Sequence, residues 1–400
     1  MVSQDTPIEP APIGPPGLAA ALAPFGQSRM LPPEAYTAED VFEWEQRHFF
    51  EGGWTCVATA SAISASGDQR AEQLGRGGVL LMRDREGRAR AFVNACRHRG
   101  HELLACGAAT VNRPIVACPY HAWSYRLDGR LRRAPDFDGE DHFDPLEFGL
   151  VELLLVEWHG LLFVDVSGDA GPFSEHVAGL EEIVAPYEPE RLVTRGRHEY
   201  VVAANWKILA ENYQECYHCP VIHPELCAAS VPDSGANYHH PGEGAWVGGW
   251  QDLRDGFETM SLDGRSLGTQ LRGLDSHRRR IVDYIAIFPN ILISPHPDFL
   301  MTHMITPLGP NRTRVQCAWA FSPEDMEREG FDPSYAIDFW DITNRQDWAA
   351  CESVQRGLAS EHARPGLLSE EEEAVYQFVT MVARAYAGQP LTAGAALPAR

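Results

Sequence analysis

The segment Glu211-Asn212-Tyr213-Gln214-Glu215-Cys216-Tyr217-His218-Cys219-Pro220-Val221-Ile222-His223 places two imidazoles and two carboxylates within thirteen residues. The residues just upstream, from 205 to 210, contain no Gly or Pro, which predicts one helix that runs into the segment and ends at Pro220. His218 would then lie in its last turn and His223 just past its end. Two neutral imidazoles so placed can converge on one ion, and imidazole suits iron, zinc, copper and nickel alike. The pair can also cap helix carbonyls, so this segment alone leaves both interpretations open.

The composition and net charge of the chain limit the classes of protein to which it can belong. The 400 residues, 44% of them hydrophobic, are enough for one large or two ordinary domains. The excess of 56 acidic over 33 basic residues, a net charge of −23, argues against nucleic acid as a partner. No run is long enough to span a membrane. The nine cysteines are an odd number and no secretory signal is evident, so we expect the cytoplasm, with thiols as metal ligands or core filler.

Two Cys/His motifs lie nearer the start of the chain. Two strand-like segments flank the turn Asp84-Arg85-Glu86-Gly87 and predict a hairpin, whose second strand leads into Cys96-Arg97-His98-Arg99-Gly100. Nineteen residues separate the histidine of this motif from the second motif, Cys118-Pro119-Tyr120-His121-Ala122-Trp123-Ser124-Tyr125. We therefore expect two ligand-bearing loops at the ends of hairpins to face each other.

The distribution of cysteine and histidine over these two loops helps to identify the kind of metal site. A zinc finger usually has its cysteines on one element and its histidines on another, whereas each loop here contributes one of each. A Rieske [2Fe-2S] cluster needs two thiolates on one iron and two imidazoles on the other. The pattern favours such a cluster, held by Cys96, His98, Cys118 and His121. A structural zinc site is the alternative.

A candidate third ligand for the histidine pair comes from the stretch 336–357, which has no Gly or Pro until its last residue and predicts a helix. Five residues recur there at intervals of 4, 3, 4 and 3 and so share one largely apolar face: Trp340, Asn344, Asp347, Cys351 and Val354. An acid on a buried face is costly unless it is paired or binds a metal, so Asp347 is the candidate. The alternative is an ion pair with Arg345 or Arg356. With His218 and His223, Asp347 would complete a two-histidine, one-carboxylate triad that leaves positions on Fe(II) open for O₂.

From about Leu31 onward the chain resembles the Rieske non-haem iron oxygenase catalytic subunits, also called ring-hydroxylating oxygenase α subunits. The two Cys/His motifs are similar to the cluster boxes of that family. Glu-Asn-x-x-Glu-x-Tyr-His-x-x-x-x-His is similar to its mononuclear iron box, and Asn344-Arg345-Gln346-Asp347-Trp348 to the segment that supplies its carboxylate ligand. The segment from Glu211 to Pro220 looks most like the branch of choline, betaine and carnitine monooxygenases.

The resemblance implies an α+β fold. An N-terminal all-β Rieske [2Fe-2S] domain is inserted before a helix-grip catalytic domain, in which a curved antiparallel sheet surrounds the iron-bearing helices. We expect the cluster domain at 46–165 and the catalytic domain at 18–45 plus 166–390. A disordered Pro-rich arm, 1–17, and a flexible tail, 391–400, would flank them. Four β-rich segments separated by turn residues support the sheet: 280–288, 291–294, 299–306 and 313–321.

The resemblance also implies roles for three other residues. In the family, the acid three residues before the first iron histidine bridges by hydrogen bonds from that histidine to a cluster histidine of the neighbouring subunit. This position holds Glu215, where many members have Asp. Glu211 and Asn212 are expected to orient the ligands, although an ordinary solvated or capping carboxylate is the alternative for Glu211. Such a bridge implies a cyclic homo-oligomer, and we expect a homotrimer.

The main functional hypothesis is an oxygenase component that hydroxylates a C–H bond of a small substrate. It would use O₂ and electrons from NAD(P)H, delivered by a separate reductase or ferredoxin, because the chain has no recognisable flavin or dinucleotide fingerprint. Monooxygenation and dioxygenation are both within the family's chemistry. A non-catalytic Rieske electron-transfer protein and a zinc-stabilised binding protein are the alternatives from other classes.

For the substrate we expect a small quaternary or tertiary ammonium compound. The betaine-type box and the negative net charge support this, as do five aromatic residues that could wall a cation cage: Tyr238, Trp246, Trp250, Phe257 and Tyr284. These side chains could equally form core or a pocket for a planar arene, so aromatic-ring hydroxylation is the alternative.

Overall fold

The computed structural model describes residues 9–137, 142–238 and 244–391 and divides the chain into two compact units. One unit is Gln46–Gly171, and the other joins the residues up to Glu45 with those from Pro172 onward. Across the described residues, no helix is both long and apolar enough to cross a lipid bilayer.

The unit Gln46–Gly171 is built from antiparallel strands. They are β1 Thr55–Thr59, β2 Gln69–Leu74, β3 Gly77–Arg83, β4 Ala89–Val93, β5 Ala109–Thr110, β6 Ile115–Ala117, β7 Ser124–Arg126, β8 Leu131–Arg133, β9 Glu152–Trp158 and β10 Leu161–Asp165. One sheet has the order β1-β10-β9-β4-β3-β2-β5, and the other has the order β6-β7-β8. The predicted hairpin is confirmed, since β3 and β4 pair with Val79 opposite Val93. Gly87 in its turn has a φ of 81°, which glycine adopts at little cost.

The hydrophobic core of this unit lies directly beneath the two Cys/His loops. Cys96 and Cys118 belong to the same buried cluster as Phe92, Trp123 and Tyr125. The first loop follows β4, and the second joins β6 to β7. Both loops are therefore anchored in packed side chains.

The other unit contains one antiparallel sheet of seven strands. They are β11 Val193–Val202, β12 Ala236–Asn237, β13 Trp246–Asp252, β14 Ile281–Ile287, β15 Ile291–Pro295, β16 Phe299–Gly309 and β17 Arg312–Phe321. Their order is β11-β17-β16-β15-β14-β13-β12. The four predicted strands are confirmed as β14 to β17. In β17 buried residues alternate with half-buried ones, as the period of two in its sequence predicts.

The α-helices of the described residues all belong to this second unit. They are α1 Pro15–Ala21, α2 Glu34–Thr37, α3 Glu39–Glu45, α4 Phe173–His176, α5 Glu181–Val184, α6 Trp206–Tyr213, α7 Cys219–Ile222, α8 Pro224–Ala229, α9 Pro323–Glu327, α10 Ser334–Leu358 and α11 Glu373–Tyr386. Helix α10 packs against α6, and α6 packs against β16. This arrangement brings the sequence from Glu211 to His223, here called the organising segment, close to the middle of α10.

Helix α10 confirms the predicted helix at 336–357 and corrects one end of its buried face. Val354 is 48% exposed, whereas Gln355 is buried. A strict repeat of 3.5 residues drifts around an α-helix of 3.6 residues per turn, so the buried position moves by one residue. Gln355 satisfies its amide there by bonding to the backbone of Asn205 and Tyr36.

The predicted disordered arm is wrong for residues 9–17; residues 1–8 lie outside the described residues. Ala11 and Ile13 are buried, and the N–H of Ala11 donates to the carbonyl of Tyr386 at 2.9 Å. Pro15 begins α1, which packs against α11. Two buried side chains and a backbone hydrogen bond to the end of α11 hold these residues in place, and proline suits the first turn of α1.

The predicted domain limits differ slightly from the compact units. The unit that begins at Gln46 ends at Gly171, beyond the expected 165. The extra residues are tied back by the Trp54 indole N–H, which donates to the Gly171 carbonyl, and by the Ser167 N–H, which donates to the backbone carbonyl of Glu51. The predicted tail falls almost entirely outside the described residues, which end at 391.

Candidate metal centres

The organising segment is not one helix, and this correction explains how its histidines converge. Helix α6 ends at Tyr213, and Pro220 lies in the first turn of α7 instead of ending the earlier helix. Between them, one carboxylate oxygen of Glu215 accepts the backbone N–H groups of Tyr217 and His218, at 2.5 and 3.2 Å. These local bonds replace helical ones. His218 therefore precedes α7 and His223 follows it.

His218, His223 and Asp347 lie together. The Nε2 atoms of the two histidines are 3.2 Å apart. The Oδ1 atom of Asp347 is 2.8 Å from Nε2 of His223 and 3.4 Å from Nε2 of His218. Ligands about 2.0–2.2 Å from a common ion have mutual separations of roughly 3 Å. The donor set and its spacing therefore fit one metal ion.

The charges around these three residues favour a cation. Burial raises the pKa of Asp347, but hydrogen bonds with His218 and His223 outweigh it and hold that pKa below its usual value. Burial likewise lowers the pKa of His218, but hydrogen bonds with Asp347 and Glu215 outweigh it and raise that pKa to about 9. Arg345 pairs with Asp341 at 2.8 Å. Asp347 is thus held by the histidines and not by this arginine.

Each histidine has a further polar partner on its other ring nitrogen. Nδ1 of His218 lies 2.5 Å from Glu215, as the family resemblance implied for this acid. Nδ1 of His223 lies 2.7 Å from Oε1 of Gln346, whose amide nitrogen donates to Glu225 at 3.1 Å. Such partners fix the tautomer and the orientation of a ligating ring. Sequence reasoning missed Gln346, although its position next to Asp347 was a usable signal.

The expectation that Glu211 and Asn212 orient the ligands is wrong for Glu211 and has no support for Asn212. The Glu211 carboxylate accepts a hydrogen bond from Tyr36 at 2.8 Å, on a buried side of α6 that also carries Lys207. Lys207 forms a buried ion pair with Glu45 at 2.5 Å. For Asn212 the structure gives no side-chain hydrogen bond within the described residues. Glu211 lies in the last turn of α6, and its side chain faces Tyr36 and not the histidines.

Two cysteines flank His218, and the structure pairs them as a disulfide, Cys216–Cys219. The sequence had suggested thiols as ligands or core filler. Cys219 is buried, and its sulfur lies 3.9 Å from Nε2 of His218.

The second candidate centre is formed by the two Cys/His loops. The thiols of Cys96 and Cys118 are both buried and lie side by side. The pKa of the Cys118 thiol is raised, mainly by burial and also by the neighbouring Cys96. The rings of His98 and His121 have centroids 4.8 Å apart. The hydroxyl of Tyr125 lies 3.2 Å from the sulfur of Cys96. A pair of neighbouring thiols and a pair of neighbouring imidazoles fit the ligation of a Rieske cluster better than that of a single ion.

A set of aromatic side chains, here called the aromatic cluster, lies between α6, α10 and the sheet. It comprises Tyr213, Tyr284, His303, Trp340 and Trp348. Ring centroids are 5.7 Å apart for Tyr213 and Tyr284, and 5.9 Å apart for Tyr213 and His303. Tyr284 and Trp340 are 6.4 Å apart, and His303 and Trp348 are 6.1 Å apart. Burial raises the pKa of Tyr284 most, followed by the charge of Tyr213 and then by that of Asp347. Because the charge of Asp347 acts on Tyr284, the aromatic cluster borders the triad.

The aromatic cluster offers polar atoms as well as ring faces. Among the described residues, four of its buried atoms have no hydrogen-bond partner: Tyr284 Oη, His303 Nδ1, Trp340 Nε1 and Trp348 Nε1. Burial lowers the pKa of His303 to about 4, so its ring is neutral at physiological pH. Because an unpaired buried polar atom costs roughly 1–3 kcal/mol, such a concentration beside a metal site indicates a binding region.

The five predicted cage residues do not form one cage, because Tyr238, Trp246 and Trp250 lie together while Tyr284 lies elsewhere. Tyr284 belongs to the aromatic cluster. Tyr238 instead contacts Trp250 and Trp246, with ring centroids 5.0 and 6.0 Å away, and its hydroxyl donates to Asp283. Phe257 lies against Gly264. Proximity in sequence misled the prediction, because alternate residues of β13 and β14 face opposite sides of the sheet.

The fold and both centres define a class of protein, and comparison with known families gives the same class. Residues 53–146 match the Rieske [2Fe-2S] domain family, and residues 189–388 match the ring hydroxylating alpha subunit (catalytic domain) family. The chain belongs to the Rieske oxygenase family of ring-hydroxylating α subunits, which are oxidoreductases that incorporate molecular oxygen. The family's cofactors are the Rieske cluster and a mononuclear iron.

Within this family the chain is similar to oxygenase subunits of quaternary ammonium metabolism. It is 31% identical to the glycine betaine monooxygenase oxygenase subunit of Chromohalobacter salexigens, over 90% of this chain and 87% of that protein. It is 28% identical to the carnitine monooxygenase oxygenase subunit of Acinetobacter baumannii, over 82% and 85%. The solved structure of the quaternary ammonium Rieske monooxygenase CntA has the same fold, with a TM-score of 0.79 at 24% identity over 94% of this chain and 100% of that one. The predicted α+β fold and family are confirmed.

Proposed function

We propose that this chain is the oxygenase component of a monooxygenase that hydroxylates a carbon next to nitrogen in a small quaternary or tertiary ammonium compound. The observation that carries the proposal is the triad of His218, His223 and Asp347 beside the aromatic cluster. One oxygen atom enters the C–H bond and the other leaves as water, which consumes two electrons and two protons. A hydroxylated N-methyl group then leaves as formaldehyde.

The metal ligands are assigned as follows. Cys96 and Cys118 would hold one iron of the cluster, and His98 and His121 the other. The triad would hold the mononuclear iron. When bound, the two centres supply single electrons and the activation of O₂.

Side chains of the protein orient the histidine ligands and keep water away from the triad. Glu215 and Gln346 hold the Nδ1 protons of His218 and His223, so that both Nε2 lone pairs face the ion. The aromatic cluster excludes water from the side of the triad that it borders. Exclusion of water there would limit side reactions at the site.

The aromatic cluster suits an ammonium substrate on three grounds. Ring faces attract a desolvated cation, by about 2 kcal/mol for a good contact. His303 is neutral and does not repel a cation. The indole N–H groups of Trp340 and Trp348 are free to donate to an oxygen of the substrate.

Aromatic-ring hydroxylation remains the second candidate, because the same rings would accept a planar arene. The named substrates of the similar proteins, glycine betaine and carnitine, favour the ammonium compound.

Electrons would come from NAD(P)H through a separate flavin and iron-sulfur reductase or a ferredoxin. We further propose a homotrimer in which each cluster serves the iron of a neighbouring subunit through Glu215. The structural work on CntA describes inter-subunit electron transfer, which supports this arrangement. An active monomer in sedimentation and assay at matched concentrations would contradict it.

The test is turnover with a reconstituted reductase. Oxygen uptake and product mass are compared for glycine betaine, carnitine and choline against simple aromatic acids. We expect coupled uptake with the ammonium compounds. Coupled turnover confined to the aromatic acids would reject the ammonium substrate. In the same assay Asp347→Ala should keep the colour of the cluster but lose mononuclear iron and product, and normal turnover of this variant would refute the triad.

A further inference from the structure

Cys216 and Cys219 enclose His218 in a Cys-x-x-Cys motif, and neither has a part in the proposed function. The structure pairs them as a disulfide. Cys219 is buried, while Cys216 is half-buried next to Tyr217, whose side chain is 62% exposed. One sulfur thus faces the interior and the other is close to solvent, as in a pair that a small thiol can reach.

The inner sulfur lies within the candidate metal centre. It is 3.9 Å from Nε2 of His218, and the potential ligand atoms of His218, Cys219 and His223 all lie within 4.8 Å of one another. Two ligands of one zinc ion, at about 2.0 Å for nitrogen and 2.3 Å for sulfur, are roughly 3.5 Å apart. To share an ion with both histidines, the Cys219 sulfur must move by a few tenths of an ångström towards His218 and by no more than about 1.3 Å towards His223.

The segment that carries Cys216 and leads into Cys219, the first residue of the four-residue helix α7, can make such a shift. Residues 214–218 lie between α6 and α7 and belong to neither helix. Their conformation is held by the Glu215 carboxylate, which accepts two local N–H groups, and by the cross-link itself. Opening the disulfide removes one of these restraints while leaving His218 in place.

We propose that the redox state of Cys216 and Cys219 decides how many protein ligands the metal centre has. As a disulfide, the pair leaves the open triad of His218, His223 and Asp347. As a dithiol, it releases Cys219 as a fourth, thiolate ligand, and the centre becomes a closed four-ligand site for zinc. The proposal rests on the proposed function for the identity of the triad.

The chemistry is thiol–disulfide exchange with a small-molecule disulfide as the oxidant or a dithiol as the reductant. In the oxidising direction a small disulfide such as glutathione disulfide takes up two electrons and two protons from the two thiols, giving the protein disulfide and two small thiols. In the other direction a dithiol reductant closes its own disulfide as it opens the protein's. Metal binding by Cys219 then releases its thiol proton.

The consequence for the site follows from ligand preferences. A two-histidine, one-carboxylate set with open positions suits Fe(II) and O₂, whereas four protein ligands that include a thiolate are typical of tetrahedral, closed zinc sites. The disulfide form therefore preserves the catalytic geometry. The dithiol form closes the positions that O₂ needs and favours zinc over iron.

The test is zinc K-edge X-ray absorption of the holoprotein, with its cluster retained and zinc in place of the mononuclear iron. The technique is specific for zinc, so the irons of the cluster do not interfere. We expect one sulfur neighbour at about 2.3 Å after treatment with dithiothreitol, and none after treatment with glutathione disulfide. Mass spectrometry after alkylation reports the state of the two cysteines in each sample.

Three variants control the experiment. Cys216→Ser leaves Cys219 unpaired and should show the sulfur neighbour under both treatments. Cys219→Ser should show it under neither, and Cys227→Ser, a change at a half-buried free cysteine on α8, should behave like the unmodified chain.

Two results would overturn the proposal: no sulfur neighbour in either the reduced protein or Cys216→Ser, or a cysteine pair that neither reagent converts. Both measure ligation and not turnover. Failure of this inference therefore leaves the ammonium assay unaffected, and failure of that assay leaves the ligation result standing.

Discussion

Nδ1 of His223 lies 2.7 Å from Oε1 of Gln346, on the side of the imidazole ring opposite to Asp347. The amide of Gln346 is itself fixed, because its nitrogen donates to the carboxylate of Glu225 at 3.1 Å. The amide oxygen must then accept the Nδ1 proton. Nε2 of His223 keeps its lone pair and faces the other two ligands, so Gln346 is a positioning residue for the candidate iron centre.

Replacing Gln346 with Leu should weaken iron binding by roughly 10- to 100-fold, since the ring loses the acceptor that fixes its tautomer. Competition with a chelator, followed by counting of the retained mononuclear iron, measures this. The matched control is Ala349→Leu at an exposed position of the same helix, which should bind iron normally. Retention of full iron affinity by Gln346→Leu would show that Gln346 is dispensable.

Glu215→Gln should keep both metal centres and slow electron transfer between them. The carboxylate holds the Nδ1 proton of His218 and accepts two backbone N–H groups, and an amide cannot accept on both sides. Single-turnover oxidation of the reduced cluster is the assay. Glu215→Asp, which restores the residue common in the family, should recover much of the rate, and an unchanged rate in Glu215→Gln would make this residue merely structural.

Tyr125→Phe should lower the reduction potential of the cluster. The Tyr125 oxygen accepts the backbone N–H of Arg97 at 3.0 Å, which leaves its own proton for the sulfur of Cys96 at 3.2 Å. A hydrogen bond to a cluster sulfur stabilises the reduced state, by about 1 kcal/mol or roughly 40–60 mV for one electron. Redox titration followed by electron paramagnetic resonance gives the potential. Tyr120→Phe removes an exposed hydroxyl and should leave it unchanged; equal potentials for both variants would contradict the assignment.

The candidate ligands were predictable from sequence because metal chemistry restricts residue type and spacing together. His218 and His223 lie in one short segment. Asp347 was identifiable because an acid is conspicuous on a largely apolar helix face. The strands around them were predictable for a similar reason. The alternation of buried and half-buried residues in β17 follows from strand geometry and does not depend on what the sheet packs against.

What could not be predicted depends on tertiary contacts. The break after Tyr213 results from a side chain that binds its own backbone, and nothing in the periodicity signals it. Residues 9–17 are ordered because they pack against α11, a helix distant in sequence, and not because of their own composition. The aromatic cluster draws its members from one helix face, a second helix and two strands, so that no sequence window contains it.

The buried acid Glu211 gives the fold a pH dependence of its own. Its carboxylate faces the Tyr36 hydroxyl and lies near Lys207, which forms an ion pair with Glu45. Burial raises the pKa of Glu211 to about 8, although the hydrogen bond from Tyr36 and the charge of Lys207 both act to lower it. The folded chain therefore keeps a proton on Glu211 that the unfolded chain, with a pKa near 4.5, releases.

The sign of the effect follows from this proton. Because the folded state binds it more tightly, the stabilising contribution is complete below about pH 4.5 and falls as pH rises towards 8. Between pH 6 and 8.5 the free energy of unfolding should drop by roughly 2–3 kcal/mol from this group. Glu211→Gln resembles the protonated acid and should remove most of that drop, whereas Glu329→Gln, at an exposed position, should keep it. Urea unfolding followed by circular dichroism across this pH range decides the matter, and parallel pH profiles for Glu211→Gln and the unmodified chain would show that Glu211 is ionised in the folded state.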